Sequence, residues 1–388
     1  MASQPVIVSA ADLHVDAESV GGWDAENNRH SNWTESFRQF NTIIETCNEV
    51  DADFLVIAGD TFHTGRPKAE AVALLIAGLN RLDRTKAIFL NGNHDQQTVV
   101  GTHRTPIDAY LSGHQNVIHA SSGAEVVEFD GVQFALVPWT RVAGASKLEE
   151  TNNELDTIIN RLGDQIDGKG PSMFAAHIVV DECTFDSGRR SSEVSMTTAV
   201  LEASVPTSLI DAGPWNIARL GHIHKRQQLS EKTGYIGSPY KVSFGEYKDS
   251  KGADIIRFST KNKVTLEFKQ FDVRELIKAD ISESGGENPT TIADLAKPGD
   301  IVRFILDAEG DPVGFQGALA DLELKGIVPQ VQRYVKERIS GGIRLEGLSV
   351  DTEPIEAFKA YAFQQGLDKK QVKKLMNRFG TIVEEVHA

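Results

Sequence analysis

Five short segments of this chain carry side chains able to bind divalent cations, and each follows a β-rich run. They are Asp12-Leu13-His14, Gly59-Asp60-Thr61-Phe62-His63, Gly92-Asn93-His94-Asp95, His177, and Gly221-His222-Ile223-His224. Imidazole and carboxylate together suit Mn, Fe or Zn, whereas purely oxygen sites suit Mg or Ca. In Asp-X-His and His-X-His the paired side chains sit two residues apart. On extended backbone both point the same way and reach one site. A carboxylate has two oxygens and can bridge two ions about 3.5–4 Å apart, and Asp60 is the natural bridge. Gly59, Gly92 and Gly221 leave the backbone free to turn beside Asp60, Asn93 and His222. A lone His at a strand end is ordinarily a hydrogen-bonded structural residue, and Asp-Leu-His is common by chance. The recurrence of such segments in this order, each behind a β-rich run, points to one shared metal centre.

Strands are needed to present these segments, and the apolar pattern supplies them. Residues 5–10, 54–58, 87–90, 132–137, 173–176 and 217–220 read as strands. Residues 35–50 have helical spacing through Phe37, Phe40, Ile43, Ile44, Cys47 and Val50, and residues 68–82 through Ala71, Leu74, Leu75 and Leu79. This alternation predicts an α/β sheet covered by helices on both faces. Such sheets place their sites outside the C-terminal ends of the strands. Beyond Phe258 the pattern changes to a strand at 264–271, a polar loop at 279–286, a strand at 300–307, a helix at 313–325 and a strand at 328–335. This is a smaller α+β unit. Two amphipathic helices then follow, at 354–363 and 368–379, with Gly366 suited to end the first and Asp368 to cap the second. Ile355, Phe358 and Ala362, then Val372, Leu375, Met376 and Phe379, give them apolar faces that fit the parent domain or a partner. The expected domains are therefore 1–262, 263–347 and 348–388.

The 388 residues suit two or three domains. A formal net charge of −15 counts against nucleic acid as a partner, although acidic metal ligands account for part of it. The nearest basic candidates are Arg189-Arg190 and Lys225-Arg226. The polar segment 15–32, with Trp23, Arg29 and His30 and with Trp33 just beyond, reads equally as a DNA-touching loop or a solvated one. Cys47 and Cys183 lie far apart and form no metal-type spacing, which fits a reducing, cytoplasmic setting. No run approaches the roughly 18 apolar residues of a membrane span, and residues 1–11 lack the n- and h-regions of a signal peptide.

The ordered segments resemble the calcineurin-like metallophosphoesterase superfamily, whose signature runs Asp-X-His, Gly-Asp, Gly-Asn-His-Asp/Glu, His and Gly-His-X-His. The resemblance covers roughly residues 5–240 and implies an α/β metallophosphoesterase sandwich core. It implies one metal held by Asp12, His14, Asp60 and His224, and a second held by Asp60, Asn93, His177 and His222. It assigns His94 as the proton donor to the leaving oxygen, with Asp95 orienting its ring. Within the superfamily, Gly59-Asp60-Thr61-Phe62-His63, the segment Tyr235-Ile236-Gly237-Ser238-Pro239 with Ser243-Phe244-Gly245-Glu246, and the domain order are similar to SbcD-type nucleases. That branch implies a DNA exonuclease and endonuclease acting on ends and hairpins in repair and recombination. It implies a small cap domain that binds DNA, two divalent ions with Mn foremost and Mg, Fe or Zn as alternatives, and a homodimer. His63 then positions DNA or assists the proton transfer. The C-terminal helices dock an SMC-like ATPase of the SbcC type, in a cytoplasm that for a viral source is the host's. The alternative within the superfamily is hydrolysis of small phosphodiesters or phosphoproteins.

Overall fold

The computed structural model describes residues 4–96, 106–121, 123–139, 148–184, 203–281, 295–306 and 314–333. The run Phe54–Ala58 is apolar at every position, and all five residues are buried. Its alternate side chains serve two different cores. Leu55 and Ile57 join Phe37, Phe40 and Ile44 beneath helices. Phe54 and Val56 instead join Ile7, Ile88, Phe134, Met173, Ile217 and Phe258. That second set comes from two sheets, so the strand is sandwiched between a helical layer and another sheet. The apolar alternation on its own implied a single sheet with helices on both faces. The structure has two sheets, each with one face on its partner and the other under helices.

The first sheet runs, edge to edge, Val264–Gln270, Gly252–Phe258, Val6–Ala10, Phe54–Ala58, Lys86–Leu90 and Val117–Ser121. Its last four strands are parallel, and Gly252–Phe258 pairs antiparallel with Val6–Ala10. The second runs Gln227–Gln228, Thr233–Tyr235, Ile217–Gly221, Ser172–His177, Val132–Val137 and Glu125–Phe129. Here Val132–Val137, Ser172–His177 and Ile217–Gly221 are mutually parallel. Phe54 and Phe134 meet edge to face across the interface, with ring centroids 5.2 Å apart.

The helix Ser31–Glu49 starts four residues before the expected 35. His30 caps it by accepting the Asn32 N–H at 3.2 Å, and Trp33 extends the buried stripe by one turn. Trp33 thus belongs to the core, whereas Trp23 is 69% exposed. The helix Ala69–Leu79 lies within the expected span.

The strand Val264–Gln270 pairs along its length with Gly252–Phe258 in the first sheet, on the far side of the expected boundary at 262. Leu276–Ile281, Ile301–Leu306 and Val328–Arg333 then form a separate parallel sheet beside the helix Phe315–Leu324. Residues 279–281, expected as loop, are therefore strand. Ala279 and Ile281 are buried while Asp280 is exposed, the period of two that a half-buried strand requires. Residues 1–333 and 334–388 divide as two units, and the expected C-terminal helices lie outside the described residues. Among the described residues no helix is long and apolar enough to cross a membrane.

Candidate metal centre

The strand ends deliver their side chains to one place. Asp12 and His14 follow Val6–Ala10, Asp60 follows Phe54–Ala58, and Asn93 follows Lys86–Leu90, all from the first sheet. The second sheet adds His177, the last residue of its strand, and His222 and His224 beyond Ile217–Gly221. The strands that end at the centre run parallel within each sheet, so their C-terminal ends lie side by side, with Gly221 level with His177.

The backbone is not extended at these residues, as the Asp-X-His and His-X-His spacing had implied. Asp12 (φ 54°), His14 (φ 38°), Asp60 (φ 49°) and His222 (φ 92°) all lie in the left-handed region. Non-glycine residues adopt it rarely, and such strain concentrates at functional sites. It is held by neighbours. The N–H groups of Asp12, His14 and Val15 donate to the carbonyls of Gly59, Asp60 and Thr61 at 3.0, 3.0 and 3.1 Å. Tyr240 Oη adds a hydrogen bond to the His14 carbonyl at 2.9 Å. Gly59 itself turns at φ 95°, where a Cβ would strike the His177 ring. Gly92 has no positive φ; its hydrogen makes room for Asp60, whose Cγ a Cβ would approach to 2.6 Å. Gly221 likewise has no positive φ.

Two overlapping groups result. In one, His14 Nε2 and His224 Nε2 face each other at 3.0 Å, and Asp12 lies close enough for its carboxylate to share a cation with them. In the other, Asn93 Oδ1 lies 2.9 Å from His177 Nε2 and 3.0 Å from His222 Nδ1. Asp60 Oδ2 stands between them, 3.5 Å from both His14 Nε2 and His177 Nε2. His177 Nδ1 donates to the Ala58 carbonyl at 2.9 Å, which fixes the ring and aims Nε2 at Asn93 and Asp60. Asp12 Oδ1 accepts the His222 N–H at 2.9 Å, and Asp12 Oδ2 is buried with no hydrogen-bond partner. Facing imidazole nitrogens, an amide oxygen and an orphaned carboxylate oxygen are a donor set for divalent cations, and these residues fit two.

Electrostatics agree with a buried, mutually dependent set. Burial opposes ionisation of Asp60, but His177 and His94 outweigh it and hold its carboxyl well below the usual range. Burial likewise opposes the charged form of His177, yet Asp60 and Asp12 raise it to about 9. Burial pushes Asp12 up and His14 well down.

His94 and His63 stand at the rim. Their rings stack with centroids 4.9 Å apart and 19° between planes, and His63 Nδ1 is 3.2 Å from His14 Nδ1. Burial, then the neighbouring His94, lowers His63 to about 4. The resemblance assigned Asp95 to orient the His94 ring. The ring is held instead by the His63 carbonyl, 2.9 Å from His94 Nδ1. Asp95 is spent on backbone, accepting Thr61, Phe62 and Gly92 N–H at 3.2, 2.9 and 2.9 Å. It ties the second and third loops together, and burial next to Asp60 raises its carboxyl to about 7. Asp16, which the sequence did not single out, accepts the His63 N–H at 2.5 Å and so fixes the carbonyl that holds His94.

Of the basic candidates, Arg226 is bound up in the structure. It donates to Asp254 at 2.8 Å and lies 4.2 Å above the Phe268 ring. In the 15–32 loop, Arg29 pairs with Glu70 at 3.4 Å. Arg189-Arg190 lie outside the described residues.

Residues 6–158 match the family model of calcineurin-like phosphoesterases. Among solved structures the chain is similar to a dimetal phosphatase from Danio rerio, at 12% identity over 69% of this chain and 96% of that one, with a TM-score of 0.42. It is also similar to purple acid phosphatase PPD1 from seeds of yellow lupin (Lupinus luteus), at 12% identity over 71% and 53% of the two chains, with a TM-score of 0.38. A third is the nuclease MPE of Pseudomonas putida, at 17% identity over 48% and 66%, with a TM-score of 0.24. The matched segment holds Asp12, His14, Asp60 and Asn93, while His177, His222 and His224 lie beyond it. Over residues 6–158 the chain is therefore similar to calcineurin-like phosphoesterases.

Proposed function

We propose that this protein is a two-metal phosphodiesterase that cuts DNA, acting as the nuclease subunit of an SbcD-type complex. The observation that carries the two-metal part is Asp60 Oδ2, equidistant at 3.5 Å from His14 and His177. One ion would be held by Asp12, His14, Asp60 and His224, the other by Asp60, Asn93, His177 and His222. Such a pair supplies a hydroxide at neutral pH and polarises the phosphate. Mixed imidazole, carboxylate and carboxamide donors favour Mn, Fe or Zn over Mg.

The remaining steps belong to the side chains. With Nδ1 committed to the His63 carbonyl, His94 has Nε2 available to donate a proton to the leaving oxygen. His63 stacks on His94 and steadies it, placed to position DNA or to assist the same transfer. Asp95 and Asp16 fix the loops that carry the pair. The DNA reading rests on His63 after the bridging carboxylate, the Tyr235–Glu246 segment and the order of domains. In this reading the 263–347 unit contacts DNA, the chain forms a homodimer, and 348–388 docks an SbcC-type ATPase. Truncation at about Glu353 would then abolish capture of that ATPase.

The net charge of −15 favours a second reading, hydrolysis of small phosphodiesters or phosphoproteins. One experiment separates the two. Purified protein with Mn is incubated with end-labelled duplex and single-stranded DNA, and in parallel with a small phosphodiester. Shortening of the DNA supports the nuclease; turnover of the small ester with DNA left intact refutes it.

A further inference from the structure

A second polar cluster lies directly behind one of the histidines of the centre. His224 Nδ1 is 3.0 Å from Glu246 Oε1, and the side chains are 4% and 2% exposed. Glu246 sits in the turn Phe244–Glu246, where it closes a capping box with Ser243. Its Oε1 also accepts the Ser243 N–H at 3.1 Å, and its Oε2 accepts the Val242 N–H at 3.2 Å. The Lys251 ammonium, fully buried, donates to Oε2 at 2.6 Å. Its other two donors go to Ser238 Oγ at 2.8 Å and to the carbonyl of His224 itself at 3.0 Å. Lys251 therefore grips both the carboxylate and the backbone of the histidine that the carboxylate faces.

The Lys251 ammonium and the Ser243 and Val242 N–H groups all donate to Glu246, the arrangement that an ionised carboxylate takes. An ionised carboxylate can only accept, so the proton of the shared hydrogen bond resides on His224 Nδ1. Nε2 then carries the lone pair, and it points at His14 Nε2 across 3.0 Å, where a cation would sit. On its outer side the same turn buries Phe244 against Leu276 and Ile301, and Arg303 lies 3.6 Å above the Phe244 ring. The turn is thus clamped from both sides.

We propose that Glu246, locked by Lys251, is the positioning residue that fixes the tautomer and direction of His224 for the cation shared with Asp12, His14 and Asp60. The inference rests on the two-ion reading of the centre. Partners of this kind, hydrogen-bonded to a metal-binding imidazole, change metal affinity by about 10–100-fold when removed.

Calorimetric titration of the full chain with Mn alone is the test, on wild type, Glu246→Gln, Glu246→Asp and the double variant Glu246→Gln/Lys251→Met. The double variant removes the buried ammonium that the single substitution leaves uncompensated. Glu246→Asp keeps the ion pair but draws the acceptor back from His224. Wild type should take up two ions. Each variant should lose at least about tenfold affinity for one ion, with the other nearly unchanged. Nitrogen-15 spectra of histidine-labelled, metal-free protein should show His224 as the Nδ1–H tautomer in wild type and as a mixture in the double variant. Failure of wild type to bind Mn would sink the two-ion reading. Two ions bound by wild type and equally well by the double variant, with the His224 tautomer unchanged, would overturn the role of Glu246 alone.

Discussion

At the residue scale, four residues of the candidate centre bend the backbone into the left-handed region, and hydrogen bonds to the next loop hold them there. Each side chain of the centre also has a neighbour that decides what it can do. His177 is fixed by the Ala58 carbonyl, His94 by that of His63, and His224 by Glu246. Loss of a general acid costs about 10²–10⁴-fold in rate. His94→Ala should therefore lower kcat by that order while the protein still takes up two Mn ions by calorimetry. Full turnover by that variant would remove His94 from the chemistry.

At the scale of elements, the loops after Val6–Ala10, Phe54–Ala58 and Lys86–Leu90 act as one assembly because their backbones hydrogen-bond to one another and to Asp95. Gly59→Ala would combine φ 95° with a Cβ against the His177 ring. Left-handed backbone alone costs about 1–2 kcal/mol for a side-chain-bearing residue. We expect a lower denaturation midpoint and Mn affinity reduced by more than about tenfold, the second read by calorimetry on the folded fraction. The helix Ser31–Glu49 offers a different check. Burial on its inner face pushes the Cys47 thiol from an ordinary 9.0 up to about 12. A raised folded pKa favours the protonated, folded form below the unfolded value, and that contribution is lost as pH rises through about 12. Near pH 8 a thiol reagent should therefore label Cys183, which is partly exposed, and reach Cys47 only after unfolding. Labelling of both in the native protein would contradict the packing of this helix.

For the whole molecule, the two sheets and the centre at their ends depend on each other. Phe54 is 1% exposed and packs on Phe134 across the interface. Phe54→Ala should cost about 3–5 kcal/mol, read as a shift in the urea midpoint. Cations that bind only the folded chain stabilise it by mass action, about 2.7 kcal/mol per site at a hundredfold excess over Kd. Mn should accordingly raise Tm by several degrees and EDTA should reverse the rise. No shift with Mn, Fe or Zn would argue against a resident ion pair. Arg226 is bound up with Asp254 and Phe268 inside this fold.

Much of the centre was legible in the sequence, because residue type and the nearest strand are local properties. Asp12, His14, Asp60, Asn93, His177, His222 and His224 each follow or end an apolar run, and their donor atoms already specified divalent-cation chemistry. The end of the strand at 276–281 reads as loop because Asp280 is polar, when it is the solvent-facing residue between buried Ala279 and Ile281. What the sequence could not decide is anything that depends on distant residues meeting. His14 faces His224 across 210 residues, and Asn93 faces His222 across 129. No local pattern tells whether a strand joins one sheet or another, so the sandwich was implied by the resemblance of the ordered motifs and not by the apolar alternation. The left-handed turns, the His63 carbonyl on His94, and the Glu246–Lys251 pair behind His224 are likewise products of tertiary contact. The sequence determined which atoms could bind metal; only the fold decided how each is aimed, since aim is set by the second hydrogen bond of each side chain and by the backbone that a neighbouring loop holds in place.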